Sequence, residues 1–395
     1  MLVATKVPWP PIDGGRLLVR NTLEGLAARG HRLTVVAPAS RREIRSGSAS
    51  ATLGEVCRLR LVASRPRPLL EALLRSRLSG RPLSIERHLS PAVRREVARL
   101  LAEESFDVIH AEQLQALAQA EPGFARSVAV LLRAENVECD IWRATASVRP
   151  GFGWLAQREA ARMEAWEGRS VARVAATAAL TEKDARRLGE LAGGRGEIRV
   201  IRAPFASTLP AGEEVLSGSP AVVLMGSEGW LPNLDGVRWF ARQVWPVVRQ
   251  ELPQARLHLF GRWDLGGRTP AIEEHSAPAD ICRALSSGSI LAVPLRIASG
   301  VRIRILDAWA RGVPVVATPE AAAGLDAEDG RELLLARDGR EFAAAFARLA
   351  AEPDLARRLT ALGREALARS HDPASSAAEL EGVYRWASRS RSSAS

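Results

Sequence analysis

Lysine is nearly missing from these 395 residues: Lys6 and Lys183 are the only two. A G-x-x-x-x-G-K-[ST] phosphate loop needs a lysine directly after its last glycine, so that device is excluded. The C-terminal half has no lysine at all, which removes a Schiff-base pyridoxal enzyme. Cysteine is almost as sparse. Cys57, Cys139 and Cys282 lie far apart with no CxxC or metal-ligand spacing, so they read as small buried hydrophobes. No disulfide framework and no metal set is expected, which fits a reducing compartment. Long apolar runs are absent too: stretches such as Val128–Leu132 are far shorter than a membrane span. Met1 leads straight into LVATKV, a strand rather than a charged segment followed by a long apolar core, so no signal peptide is expected. Together these absences predict a cytoplasmic protein. Neither G-x-G-x-x-G after a strand nor G-x-S-x-G occurs, which leaves a dinucleotide oxidoreductase or a serine hydrolase unsupported.

What is present is ordinary globular material: 47% hydrophobic and 25% charged residues, in a chain long enough for two or three domains. The net charge of +10 is unevenly spread. Between Arg41 and Arg99 there are 14 arginines against five glutamates, a local net of +9. Within that stretch Leu69, Leu70, Leu73, Leu74 and Leu78 recur at helical spacing, with Arg75, Arg77 and Arg81 elsewhere on the turn. A basic amphipathic segment suits an anionic membrane surface or a phosphorylated acceptor. The plainer reading, a domain helix with a solvated arginine face, is slightly preferred. Nucleic acid fits worse, because no aromatics are interleaved to stack on bases.

Strand and helix signals alternate throughout. LVATKV, the helix RLLVRNTLEGLAARG closed by Gly30, and HRLTVVAP make a complete βαβ unit. Strands FDVIHA, SVAVLLRA, VARVAAT and EIRVIRA follow with helices between them. Ser207–Pro220, rich in small and turn residues, is the best linker. The alternation then restarts with AVVLMG, ARLHLFG, SILAVP and VPVVAT, a helix being expected at PADICRALSSG. The pattern predicts an α/β protein of two doubly wound Rossmann-like parallel-sheet domains. Their expected bounds are 1–206 and 207–372, with a final helical segment at about 373–390. Such sheets bind ligands at the carboxyl ends of their strands, and with two domains the cleft between them is the default site.

Three small-residue loops fall at such strand ends. PWPPIDGGR carries Gly14 and Gly15, which let a backbone approach phosphate at the tip of the next helix. MGSEGWLPNLDG offers Gly226 and Ser227 to a nucleotide, while Pro232 and Asn233 read as helix-start chemistry and Trp230 as packing. The third, PLRIASGVRIRILDAWARGVPVVATPEAAAGL, is the most telling. Its small-residue turn at Ala298, Ser299 and Gly300 runs into a helix expected from about Val301. Arg302 and Arg304 stand in the first turn, where cations oppose the helix dipole. That is reasonable if an anion sits there. Asp307, one to two turns on, suits hydroxyls, so the set describes a nucleoside diphosphate with its ribose.

PWPPIDGGRLLVRNTLEGLAARGHRLTVVAP, FDVIHAEQLQALA, LLRAENVECDIWRA, TEKDARRL, GSEGWLPNLDGVRWFARQVWPVV and SGVRIRILDAWARGVPVVATPEAAAGL together resemble the landmarks of GT-B fold glycosyltransferases of the retaining family 4, or "group 1", type. The resemblance covers nearly the whole chain. It implies two domains facing a central cleft, the N-terminal one on the acceptor side and the C-terminal one binding the donor, with the last helix crossing back. It implies sugar transfer from a nucleoside-diphosphate sugar to an acceptor hydroxyl with retention, without metal or organic cofactor. Carried over by position, Asp307 takes the place of the glutamate that binds the ribose hydroxyls. Ser299 takes that of the glutamate that meets the donor sugar, as in a subset of the family. Arg304 stands where a lysine is usual, and with Arg302 it is expected to face the diphosphate. Gly226, Ser227 and Glu228 occupy the loop that normally holds an R…K phosphate pair. Glu135 replaces a loop histidine and is expected to order the acceptor or the donor sugar; Glu135 and Arg304 are the catalytic candidates. Gly14, Gly15, Gly226, Ser227, Ser299, Gly300, Val301, Arg302, Arg304 and Asp307 are the donor-binding set. His110 is better read as a satisfied strand-end histidine. The expected partners are a nucleotide sugar and an acceptor, with the 41–99 stretch hinting at an anionic or lipid-linked acceptor and at peripheral contact with the inner membrane face. Two rivals stay open: a sugar-nucleotide epimerase and a non-catalytic nucleotide-binding protein of the same fold.

Overall fold

A computed structural model describes residues 1–148, 151, 153–226, 230–261, 263, 265, 271–276 and 284–392. Strand and helix alternate into two sheets, and every strand pair in both is parallel. The first sheet holds β1 (Leu2–Val3), β2 (Thr34–Ala39), β3 (Arg58–Ala63), β4 (Val108–Glu112), β5 (Ala129–Ala134), β6 (Ala176–Ala179) and β7 (Ile198–Val200). Their order is β3-β2-β1-β4-β5-β6-β7. The second holds β8 (Ala221–Met225), β9 (Arg256–Phe260), β10 (Ile272–His275), β11 (Ser289–Val293), β12 (Val315–Ala317) and β13 (Leu334–Leu335). Their order is β10-β9-β8-β11-β12-β13. Both are doubly wound Rossmann-like sheets whose strand order reverses beside the first strand, at β1/β4 and at β8/β11.

Contacts divide the chain into two compact units: Met1–Pro11 with Gly15–Pro204 and Pro373–Ser395, and Ile12–Gly14 with Phe205–Asp372. The segment read as a linker at 207–220 is docked rather than loose. Leu209 N–H donates to Ala310 O at 3.0 Å and Gly212 N–H to Leu285 O at 3.0 Å. The final helix, Pro373–Ser392, packs on the first sheet: Leu380, Val383 and Ala387 are buried among Leu131, Ala176 and Ala178. Buried leucine and valine side chains contribute about 1.5–3 kcal/mol each, enough to hold a helix whose own propensity is modest.

Local chemistry explains the better-defined helices. Ser90 caps Pro91–Glu103 by accepting from Val93 N–H, and Val93, Val97, Leu100 and Leu101 form its buried stripe. Thr181 caps Glu182–Leu191, and Asp338 caps Gly339–Ala351.

Several expectations shift. β1 keeps only Leu2–Val3 of LVATKV, because only those residues pair with β2 and β4. The helix expected from Val301 spans Ile303–Arg311, since Gly300 at φ +72° and an extended Arg302 delay its start. The helix expected between FDVIHA and SVAVLLRA, over QLQALAQA, is regular only at Leu114–Leu117. The long helix after β8 runs through a wider turn at Phe240–Val244. Most of the helix expected at PADICRALSSG lies outside the described residues, as does Cys282. Two edge strands are not among the expected ones: β3, whose RLRLVA does alternate, and β10, whose IEEH does not. On the helix Leu69–Ser79 the leucines are the exposed residues: Leu69, Leu70, Leu74 and Leu78 face outward, Leu78 at 89%. Arg75 and Arg77 are exposed too, as the plainer reading expects; what differs is that the leucines stand beside them instead of facing a core. Ala72 and Ser76 make its inner face instead.

Candidate active site

In the second unit the carboxyl ends of β8 and β11, side by side at the reversal point, carry two of the three loops. β8 ends at Met225 and Gly226. A Cβ on Gly226 would stand 2.9 Å from the Asn233 amide nitrogen, so the loop turns tightly against the helix Leu231–Trp239. Ser227 lies outside the described residues. The loop after β11 is fixed on several sides. Arg296 makes a two-pronged pair with Asp235, Nε to Oδ2 at 3.0 Å and Nη2 to Oδ1 at 2.8 Å. Thr318 Oγ1 donates to Leu295 O at 2.5 Å. Gly300 O lies 2.0 Å from where a Cβ on Gly324 would be, so only glycine lets those two segments touch.

This loop delivers the Ile303–Arg311 helix with Arg302 as its N-cap; no side chain caps it, and Ile305 N–H donates to Arg302 O at 2.8 Å. Arg304 lies in the first turn. Its Nη2 donates to Ile12 O at 2.8 Å and its Nη1 touches Met225 Sδ at 3.0 Å, while the charges of Asp307 and Asp13 act on it. Arg302 does not point the same way. Its guanidinium lies over the Trp230 ring, 5.1 Å from the centroid, and donates to Ser299 O. Asp307 is buried at 1% exposure, and its Oδ1 accepts from Arg311 Nε at 2.8 Å. Ser299 is half-buried and Gly300 and Val301 are buried, forming the floor of the turn. Gly14 groups with this unit, and a Cβ on it would stand 3.1 Å from Ile303 Cβ.

In the first unit, the strand ends at its own reversal point hold side chains instead. Gly15 lies in the first turn of the Gly14–Ala28 helix, and a Cβ there would lie 3.3 Å from Lys6 Nζ and 3.4 Å from Glu135 Oε2. Lys6 follows β1, Gln113 follows β4 and Glu135 follows β5. Gln113 adopts φ +72°, a left-handed conformation that costs a non-glycine residue roughly 1–3 kcal/mol. The strained turn lets Gln113 Oε1 accept from Thr5 Oγ1 at 3.0 Å while its side chain also bonds Glu135. Burial and the Glu112 charge push Glu135 up to about 7, against the pull of Lys6, Gln113 and Arg133. Glu112 goes the other way. Burial opposes its charge, but Arg133, His110 and Glu135 together hold it below the usual carboxylate range. Near neutral pH Glu112 is thus ionised while Glu135 passes between its protonated and ionised forms. Beneath them His110 lies 3.0 Å from Glu112 and 2.5 Å from Tyr384 Oη, and Arg133 donates to Thr22 Oγ1 at 2.6 Å. Burial lowers the His110 pKa, so the ring is neutral, with its Nδ1 on Tyr384 Oη. Lys6 and Gln113 belong to this site although the sequence singled out neither. Only the absence of other lysines nearby marked Lys6.

The fold and the two strand-end sites define the class: this is a glycosyltransferase of the GT-B fold. The chain belongs with the glycosyltransferases through both of its halves. Residues 13–204 match the "Glycosyl transferase 4-like domain" family and residues 219–352 the "Glycosyl transferases group 1" family. Among solved structures it is similar to sucrose-phosphate synthase from Thermosynechococcus elongatus, at 17% identity and a TM-score of 0.70, over 98% of each chain. It is similar also to Anabaena HepE in complex with UDP-glucose, at 15% identity and a TM-score of 0.64, over 96% of this chain and 98% of that one. A glycosyltransferase from Rickettsia africae matches at 12% identity and a TM-score of 0.59, over 98% and 97%. No curated protein matches the sequence. Among the described residues no helix is long and apolar enough to cross a membrane.

Proposed function

We propose that the protein moves a sugar from a nucleoside-diphosphate donor to an acceptor hydroxyl with retention, the chemical step needing no metal or organic cofactor. The second unit takes the donor and the first the acceptor. The observation that carries this reading is the start of the Ile303–Arg311 helix, where an uncapped N-terminus, the Gly300 turn and Arg304 converge. Such an arrangement fits a diphosphate better than any uncharged ligand. In this reading the N–H groups at Gly300 and Val301 and the Arg304 guanidinium meet the diphosphate. Gly226 and Ser227 approach the nucleotide, Ser299 the sugar, and Asp307 the ribose hydroxyls. Arg302 acts through the loop it braces against Trp230.

As the nucleoside diphosphate departs, Arg304 and the helix N-terminus balance its charge, the main electrostatic demand of the step. The sugar becomes oxocarbenium-like and the acceptor hydroxyl attacks the same face. Gly14 and Gly15 let backbone come close, and ionised Glu135 orders the hydroxyl groups. The Arg41–Arg99 charge and the outward leucines of Leu69–Ser79 favour a lipid-linked or anionic acceptor, a polysaccharide precursor being one such class. They suit a cytoplasmic protein that touches the inner membrane face.

A panel of nucleotide sugars tests this, with thermal shift and diphosphate release read in the same wells; UDP-sugars come first, because HepE is in complex with UDP-glucose. One nucleotide raising Tm with slow diphosphate release, and a product whose anomeric configuration by NMR equals the donor's, supports the reading. No stabilisation by any donor overturns it in favour of a non-catalytic protein, and epimerised donor without transfer overturns it in favour of an epimerase.

A further inference from the structure

The outer edge of the second sheet holds a group of side chains that sugar transfer does not use. His258 lies on β9, and Glu273 and His275 lie on β10. Register pairs Glu273 with His258 and His275 with Phe260. Residues two apart share a face, so all three side chains project to the same side. Their ligand-type atoms lie within 4.8 Å of one another.

The hydrogen bonds fix which atoms are available. His258 is buried at 1% exposure, and its Nε2 lies 2.9 Å from Ser217 O. A carbonyl only accepts, so Nε2 carries the proton and Nδ1 of the neutral ring carries a lone pair. That Nδ1 faces His275 Nε2 at 3.0 Å and Glu273 Oε2 at 3.7 Å. The two rings are tilted by only 24°, with centroids 5.3 Å apart, so the nitrogens meet nearly edge to edge. Glu273 Oε1 accepts from Ser217 Oγ at 2.6 Å, which turns Oε2 inward. Ser217 therefore orients two of the three groups, as carbonyls and hydroxyls behind metal-binding histidines and carboxylates do. Phe260 stacks on His275 at 4.5 Å and steadies the third.

We propose that His258, Glu273 and His275 bind a divalent transition-metal ion of the zinc type. Two imidazoles and one carboxylate select such an ion over magnesium or calcium, which prefer all-oxygen shells. A tetrahedral ion with bonds of about 2.1 Å spaces its ligand atoms about 3.4 Å apart. Two of the three separations, 3.0 and 3.7 Å, bracket that distance and all three lie within 4.8 Å, so seating the ion takes side-chain adjustment without a change in the strands. The ion replaces the N–H···N bond between the rings. His275 moves its proton from Nε2 to Nδ1 and no proton is lost, while water fills the fourth position. The consequence is structural: β10 and the Ser217 segment become clamped to β9. This site does not depend on the sugar-transfer reading.

The test is zinc titration of the tag-free full chain by calorimetry in competition with a chromophoric chelator at neutral pH. One ion per chain is expected, and Glu273→Gln and His275→Ala should each weaken binding at least about tenfold. Glu273→Gln keeps shape on a half-exposed strand, so it decides the matter if His275→Ala fails to fold. The absence of uptake by the wild-type chain, or uptake unchanged in Glu273→Gln, overturns the proposal.

Discussion

The two sheets end their central strands in opposite chemistry. At the β1/β4 reversal the chain sets titratable side chains, Lys6, Glu112 and Glu135, over a buried histidine, arginine and tyrosine. At the β8/β11 reversal it sets Gly226, Ser299 and Gly300 with the start of a helix, and the nearby carboxylate, Asp307, already holds Arg311. The contrast matches two kinds of ligand group. A diphosphate keeps its charge across the working pH range, so fixed dipoles and a guanidinium that never deprotonates serve it best. A hydroxyl changes protonation as it reacts, so it is served by a carboxyl whose own proton is poised near neutrality.

Disturbing the second site at its tightest point gives the largest expected effect. Gly324→Ala forces a Cβ against Gly300 O, and the loop has to move. We expect a loss of about 3 kcal/mol in stability, typical of severe overpacking, together with loss of nucleotide affinity. Denaturant unfolding and nucleotide titration check it. A Gly324→Ala variant as stable and as tight-binding as wild type would show that the loop tolerates displacement. Arg304→Ala comes next. Removing a charge-assisted contact to phosphate costs about 2–2.7 kcal/mol, or roughly 30- to 100-fold in nucleoside diphosphate affinity. Calorimetry measures this, and an unchanged Kd would remove Arg304 from the phosphate site.

The first site is sharpened through pH. Glu135 gives up its proton at about pH 4.3 in the unfolded chain but only at about 7 in the folded one. The folded state therefore binds more protons across that window, so Glu135 lowers stability progressively as pH rises from about 4.3 to about 7, with no further change above. Glu135→Gln should flatten that slope, raise Tm at pH 8, and cut kcat about tenfold while erasing an inflection near pH 7. Parallel wild-type and variant profiles of Tm and kcat against pH would contradict a proton held at Glu135.

Much of this was legible in the sequence, and the rest fails for identifiable reasons. The alternating strands and helices of both sheets are written in apolar runs such as Val222–Leu224, between Gly218 and Gly226, and Val128–Leu132. The strand-end loops were legible because small residues cluster there. Gln113 was not, since nothing in a glutamine announces a positive φ, and Lys6, Gln113 and Glu135 meet only because β1, β4 and β5 lie side by side. The helix at Leu69–Ser79 misleads for the reverse reason: its periodicity is real, but the apolar stripe faces outward, and spacing carries no information about which side the core is on. His258, Glu273 and His275 escaped notice because β10 is a short, polar edge strand whose partner register sequence does not reveal.

The smallest effect tests Asp307, the carboxylate on the Ile303–Arg311 helix. Asp307 Oδ1 is engaged by Arg311, whose Nη1 in turn donates to Pro210 O. Asp307→Asn keeps an acceptor oxygen for Arg311, so the helix and the docked Pro210 segment should hold, with Tm within a degree or two. What it removes is the negative charge that acts on Arg304 and, in the proposed function, the anionic acceptor for ribose hydroxyls. A hydrogen bond to a charged partner weakened to a neutral one loses about 1 kcal/mol, so nucleoside diphosphate affinity should fall about fivefold with kcat almost unchanged. A fall in Tm of many degrees with intact affinity would instead make Asp307 a purely structural anchor for Arg311, leaving the second site with no carboxylate role at all and the contrast between the two sheets complete.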